Sequence, residues 1–169
     1  MFQSFDQASI PSTAHARLTA IRQLMDRDGL DYIVVPHADE QQSEYLPPRA
    51  ERLAWLTSFT GSAGEAIIGR NRAIMFTDGR YTLQVSEQTD GNLFDYESLI
   101  DNPPVKWLEK FAGRGETIGF DPWLHTENQA EKLAKAAEKA GAKLVRLASN
   151  PVDTIYKVLK IDYLYTSID

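Results

Sequence analysis

Residues 13–36 read TAHARLTAIRQLMDRDGLDYIVVP, and the fold turns on how this stretch is divided. Over residues 13–28 the apolar side chains Leu18, Ile21, Leu24 and Met25 fall at i, i+3, i+6 and i+7. That is the spacing of a helix with one buried stripe, and Gly29 suits its C-terminal stop. Tyr32, Ile33, Val34 and Val35 then form an unbroken apolar run between Asp31 and Pro36, the pattern of a strand covered on both faces. A helix that feeds a doubly covered strand predicts a layered α/β architecture.

Working outward, residues 37–49 are polar and carry Pro47 and Pro48 in tandem. Two fixed φ angles, and a Leu46 turned away from helix, predict a shaped loop. Residues 51–59, with Leu53, Trp55 and Leu56, read as a short helix. Residues 66–69 and 73–77, joined through Arg70, Asn71 and Arg72, resemble an antiparallel hairpin. The sheet is therefore expected to be mixed and flanked by helices. Further helices are predicted over 81–88 and over 105–112, the latter started by Asn102 and the Pro103, Pro104 pair. Residues 93–99 and 117–121 read as strands. Thr126 and Gln129 make a capping box, after which Ala130, Leu133, Ala134, Ala137 and Ala140 share one side and Glu131 sits four before Lys135. Gly141 ends that helix, residues 143–147 read as a last strand, and Asn150 with Pro151 as a turn or linker.

At 169 residues, 43% apolar and 25% charged, the chain is large enough for one domain with its own core and is too apolar to be disordered. No apolar run approaches the roughly 18 residues that cross a bilayer, so no membrane partner is expected. Residues 1–12 have neither the basic start nor the apolar centre of a secretory signal and read as a disordered leader. With no cysteine, disulfide frameworks, thiolate metal sites and thiol nucleophiles are excluded, and cytoplasmic residence is the simplest expectation. A net charge of −6, with scattered Lys and Arg, removes the electrostatic footprint of a nucleic-acid binder.

Candidate chemistry is sparse. His15, His37 and His125 do not pair at helical spacing with another ligand, so a complete metal site is not expected. His37, Asp39 and Glu40 form the one tight cluster of hard ligands and read as a solvated loop. Ser62 lies in Gly61-Ser62-Ala63-Gly64, but a nucleophile elbow needs Gly two residues before the serine, where Thr60 stands. A tight turn, with glycines permitting positive φ and close backbone approach, explains it better. A phosphate loop would need Gly-Lys-Ser or Gly-Lys-Thr, whereas Gly64 is followed by Glu65. A ribonuclease H type nuclease needs a carboxylate in the middle of its first strand, and the run Tyr32 to Val35 has none. There remain Glu44, Tyr45, Arg49, Arg52 and Trp55, and the turn Asp78-Gly79-Arg80-Tyr81. Arg80 is placed to hold carbonyl or carboxylate oxygens with its guanidinium fork. It is equally explained as part of a plain turn, paired with a nearby acid.

Several ordered motifs together resemble a known family. They are Gln42 to Tyr45 with Pro48, then Arg52, then Thr-Ser-Phe-Thr-Gly-Ser-Ala-Gly over 57–64, then Thr-Asp-Gly-Arg-Tyr over 77–81 with Gln84, then Gly119 to Pro122 and Asn150 to Asp153. This pattern is similar to the creatinase-like N-terminal domain of Xaa-Pro aminopeptidases (aminopeptidase P), particularly the long cytosolic type, and covers residues 13–156. The resemblance implies an α/β domain with a ribonuclease H-like motif that is itself non-catalytic. It implies a parent that removes the N-terminal residue before proline, with two Mn²⁺ ions held by two Asp, one His and two Glu beyond this chain. It also implies a peptide substrate with proline second, homodimer formation, and Arg80 as a substrate contact, with Glu44 and Tyr45 as weaker ones. After Ile155 the family's tryptophan and Arg-Pro segment are missing, so residues 157–169 are expected to be an atypical tail. A stand-alone peptide-binding or dimerisation module, or a creatinase or prolidase relative, are the alternatives.

Overall fold

The computed structural model describes residues 11–166, with side chains for 13–160. The leader expected over 1–12 lies outside the described residues except for Pro11 and Ser12, which open the first helix. That helix, α1 (Pro11–Asp28), is stopped by Gly29 at φ 68°, as its glycine suggests. Six strands follow: β1 (Tyr32–Pro36), β2 (Gly64–Gly69), β3 (Ala73–Thr77), β4 (Asp95–Ser98), β5 (Thr117–Phe120) and β6 (Lys143–Arg146). The remaining helices are α2 (Arg52–Thr57), α3 (Thr82–Gln88), α4 (Pro104–Phe111), α5 (Glu127–Ala140) and α6 (Pro151–Thr166).

The strands form one sheet in the order β4-β3-β2-β1-β5-β6. β2 pairs antiparallel with β1 and β3, while every other pairing is parallel. Five strands therefore point one way and β2 the other, which makes the sheet mixed.

Because side chains alternate across a strand, the central strands feed two cores. Ile33, Val35, Ala66, Ile68 and Met75 face Leu18, Ile21 and Met25 of α1, with Leu53 and Leu56 of α2 and Val152 and Ile155 of α6. Tyr32, Val34, Ile67, Ile74 and Phe76 face Trp107 and Leu108 of α4 and Leu133 of α5. Each Val, Leu, Ile, Phe or Met among them contributes about 1.5–3 kcal/mol by leaving water, and the unbroken apolar run of β1 is explained by cover on both faces.

α5 has the capping box, with Thr126 Oγ1 accepting from the Gln129 N–H and Gln129 Oε1 from the Thr126 N–H. Its buried face differs slightly from the sequence expectation. Leu133, Ala136 and Ala137 are buried, while Ala134 is exposed. The helix is rolled so that its stripe centres between Leu133 and Ala137, and among alanines periodicity alone does not fix that roll.

The larger difference is at Asn150 and Pro151, which start a helix rather than a turn or linker. Asn150 Oδ1 accepts the Val152 N–H at 2.9 Å, and proline is tolerated in a first helical turn because its missing N–H is one that has no partner there. α6 runs without a break across residues 156 and 157. It is anchored to the loops above the sheet by Arg52, whose Nε lies 2.8 Å from Asp153 Oδ1, and by Asn150 Nδ2, which donates to Asp121 at 2.9 Å. Burial opposes the Arg52 charge, but Asp153 and Glu40 outweigh it and keep its pKa raised.

Candidate functional site

Pairing of Pro36 with Glu65, and of Thr77 with both Gly64 and Ser98, brings the ends of β1, β3 and β4 and the start of β2 to one edge of the sheet. β5 and β6 also end there. Ligands of open α/β sheets bind at this carboxyl edge, and the sequence-derived candidates lie on the segments leaving it.

Arg80 stands in a tight 3-10 turn, Gly79–Tyr81, directly after β3. Asp78 caps the turn by accepting the Arg80 N–H at 3.0 Å, and it also holds the guanidinium, with Nη2 2.7 Å from Oδ2. The hydrogen bond from Arg80 holds the Asp78 carboxyl below its usual range, and the same pair raises Arg80. Arg80 remains 71% exposed and its guanidinium carbon is 5.2 Å from the Tyr81 ring centre. The arginine is thus paired with a local acid and still faces outward.

The two motifs on either side of the hairpin meet. Tyr81 Oη and Ser62 Oγ are 2.6 Å apart, and the Tyr81 ring meets Phe59 edge-on at 5.7 Å. A Cβ on Gly61 would stand 2.3 Å from Phe59 Cζ, and one on Gly64 2.6 Å from Phe59 Cε1. These glycines thus serve close approach, and neither has positive φ, in contrast to the sequence expectation; Ser58, with φ 73° at the end of α2, has it instead. Ser62 contacts a phenol rather than a base, which agrees with a turn and not a nucleophile.

Glu44 is exposed and Tyr45 is 84% exposed on the segment leaving β1. Among the described residues no hydrogen bond or ion pair joins either of them to Arg80. The neighbouring cluster departs from a solvated loop. Asp39 is buried because its Oδ1 accepts the N–H groups of Gln41 and Ser43 at 3.0 and 2.9 Å, and the Ser43 N–H above all lowers its pKa. Glu40 instead turns to Arg49 and Arg52, at 3.4 and 3.5 Å, and His37 Nε2 is 3.9 Å from Glu51. Among the described residues no three His, Asp or Glu side chains converge as a metal-holding group.

One feature of this edge escaped the sequence reading. A cavity of about 340 Å³ opens on the α4 and α5 side, lined among others by Glu65, Leu99, Val105, His125, Gln129 and Leu133. Burial pushes the Glu65 carboxyl up to about 7. The strand expected over 66–69 begins two residues earlier, at Gly64, which gives Glu65 the phase of Ile67. An acid two residues before a buried isoleucine in a doubly covered strand was the available signal.

Residues 17–155 match the family model of the creatinase/prolidase N-terminal domain. A probable Xaa-Pro aminopeptidase P from Talaromyces marneffei is 39% identical over 142 residues, which span 83% of this chain and 22% of that protein. One from Coccidioides posadasii is 36% identical over 154 residues, 90% of this chain and 24% of that protein. The chain thus spans about a quarter of the length of these relatives. The cytosolic X-prolyl aminopeptidase of Caenorhabditis elegans, an enzyme with a di-nuclear active site, superposes with a TM-score of 0.79 at 30% identity, over 86% of this chain and 26% of that one. The N-terminal domain of the peptidase PepQ from Mycobacterium tuberculosis shares the fold, with a TM-score of 0.61 at 24% identity over 82% of this chain and 97% of that one. With these motifs, this sheet order and a match over most of its length, the chain belongs to the creatinase/prolidase N-terminal domain family, in the company of aminopeptidase P.

Proposed function

We propose that this chain is the non-catalytic N-terminal domain of a metal-dependent Xaa-Pro aminopeptidase, and that it borders the active site and contacts the peptide through Arg80. The observation that carries the reading is the Arg80 turn itself. A guanidinium held by Asp78 yet 71% exposed is oriented in advance and can still direct N–H groups at a carbonyl or carboxylate. Glu44 and Tyr45 supply weaker contacts from the neighbouring segment. The substrate is a peptide with proline at its second position, in the cytoplasm.

In this reading the two Mn²⁺ ions are held by residues outside this chain, and the domain itself performs no chemical step. Large exposed apolar side chains, Tyr45, Leu83, Ile100 and Trp123, lie on the segments that leave β1, β3, β4 and β5 at the carboxyl edge. They favour cover of this edge by the catalytic part or by a second subunit of a homodimer, since such side chains gain by leaving water. No described helix is long and apolar enough to cross a membrane.

The test is peptidase assay of the 169-residue chain with Mn²⁺ and an Xaa-Pro peptide, beside the same chain supplied with the catalytic part of an aminopeptidase P. The reading expects no turnover from the chain alone and a rise in kcat/KM when it is added. Turnover by the isolated chain would overturn it.

A further inference from the structure

We propose that the cavity on the α4 and α5 side binds a small organic cation, a primary amine with an aliphatic body, whose ammonium donates to the Glu65 carboxylate. This site is separate from the Arg80 turn and does not rest on the aminopeptidase reading.

The placement of Glu65 follows from the sheet. It pairs with Pro36 and Phe76 and shares the phase of Ile67, so its side chain leaves the sheet on the face covered by α4 and α5. There it meets the cavity between the Pro103, Pro104 start of α4 and the Gln129 to Leu133 stretch of α5. Among the described residues no hydrogen bond or ion pair reaches the carboxyl. The carboxylate is half-buried and met by no donor among the described residues; partial withdrawal from water without a partner is costly, and a cation entering the cavity would offset that cost. The raised pKa of Glu65 follows from this isolation.

A second wall residue points to the same ligand chemistry. His125 Nδ1 lies 2.8 Å from the Asp121 carbonyl oxygen, and a carbonyl only accepts, so Nδ1 carries the hydrogen. Burial keeps the ring neutral by lowering its pKa, which makes Nε2 an acceptor. Nε2 is buried without a partner. Of these two acceptors without a donor among the described residues, the half-buried Glu65 carboxylate is the one a ligand meets directly, while His125 Nε2 lies behind the cavity wall. An anion would find a carboxylate already short of solvation, whereas an ammonium offers three N–H groups and the opposite charge.

The rest of the wall sets the body of the ligand. Leu99, Val105, Leu124 and Leu133 line the cavity and favour an apolar chain. At about 30 Å³ per water-sized group, 340 Å³ holds roughly ten non-hydrogen atoms, at the small end of ligand sites. Lys132, exposed on α5, and His37 complete the charged or titratable lining.

The experiment titrates the ¹⁵N-labelled 169-residue chain at pH 8 with hexylammonium, and in separate arms with hexanoate and hexanol. The expected result is saturable shifts of the Glu65, Leu99, Val105, His125 and Gln129 amides with the amine alone. Glu65→Gln keeps the shape and removes the charge, and should weaken the amine at least tenfold. Leu99→Trp, which fills the cavity from a partly buried position, should abolish binding with Glu65 still present. The proposal fails if nothing saturates up to about 20 mM amine, if hexanoate binds as tightly, or if either variant binds like the parent chain.

Discussion

Two charged residues at the carboxyl edge, Arg80 and Glu65, are treated in opposite ways. Arg80 lies in solvent with its counter-ion two residues away, and the turn beneath it is supported by Tyr81, Ser62 and the buried Phe59. Glu65 lies one strand over, half-buried and without a partner among the described residues. The comparison teaches that at this edge the fold directs its local hydrogen bonds to fixing an exposed group, and leaves a half-buried carboxylate without a protein donor. The strongest way to break the contrast is to remove the support. Phe59→Ala deletes a ring that is 1% exposed and that Gly61 and Gly64 are shaped to receive. A loss of about 3–5 kcal/mol is expected, measurable by urea denaturation. A loss below about 1 kcal/mol would show that the turn does not depend on this platform.

Glu65 gives the next largest effect, with the sign that desolvation gives a carboxyl. Its folded pKa is raised, from 4.5 to about 7, so between these values the native state binds more protons than the unfolded chain. Stability is therefore fully present below about pH 4.5 and falls as pH rises through 7. The shift corresponds to about 3 kcal/mol at most. Glu65→Gln should accordingly stabilise the chain by up to about 3 kcal/mol at pH 8 and by little at pH 4.5. His37, His125 and Lys132, which line the same cavity, remain in the variant, so of their titration only the interaction with the Glu65 charge enters the difference. Denaturation curves of both proteins across this range give the answer, and a difference independent of pH would mean that Glu65 already has a partner.

The legibility of the molecule in its sequence divides along the same line. Elements with a strong period or paired end signals were readable: the stripe of α1 with Gly29, the apolar run of β1, the capping box of α5. Asn150 and Pro151 carried a helix-start signal that also fits a turn, and only packing against Arg52 and Asp121 decides between them. The Arg80 turn was legible as a motif and as a resemblance. The burial of Asp39 and the isolation of Glu65 were not, because each depends on which backbone amides or walls happen to surround a carboxylate, and composition at neighbouring positions does not state that.

At Arg80 the expected effect is on function rather than stability. Arg80→Ala should lower kcat/KM for an Xaa-Pro peptide about tenfold to a hundredfold in the full aminopeptidase that carries this domain, because a charge-assisted bond to substrate is lost. Arg80→Lys should recover only part, since an ammonium does not reproduce the fork held by Asp78. Kinetics unchanged by either substitution would remove Arg80 from the site and leave it as a surface ion pair, which contributes little to stability in any case.

The finest probe of the contrast is Tyr81→Phe. It keeps the ring that packs edge-on against Phe59 and the surface under the Arg80 guanidinium, and removes only the hydroxyl that meets Ser62. Ser62 is exposed, so water replaces the lost partner and the stability change should be about 0.5–1 kcal/mol. If the hydrogen bond is what holds the Asp78 to Tyr81 turn against the Gly61 to Gly64 turn, the backbone amides of both should exchange faster with solvent in the variant, and together. Faster exchange confined to one turn would mean that Phe59 alone provides the link, and that the two motifs are neighbours without being coupled.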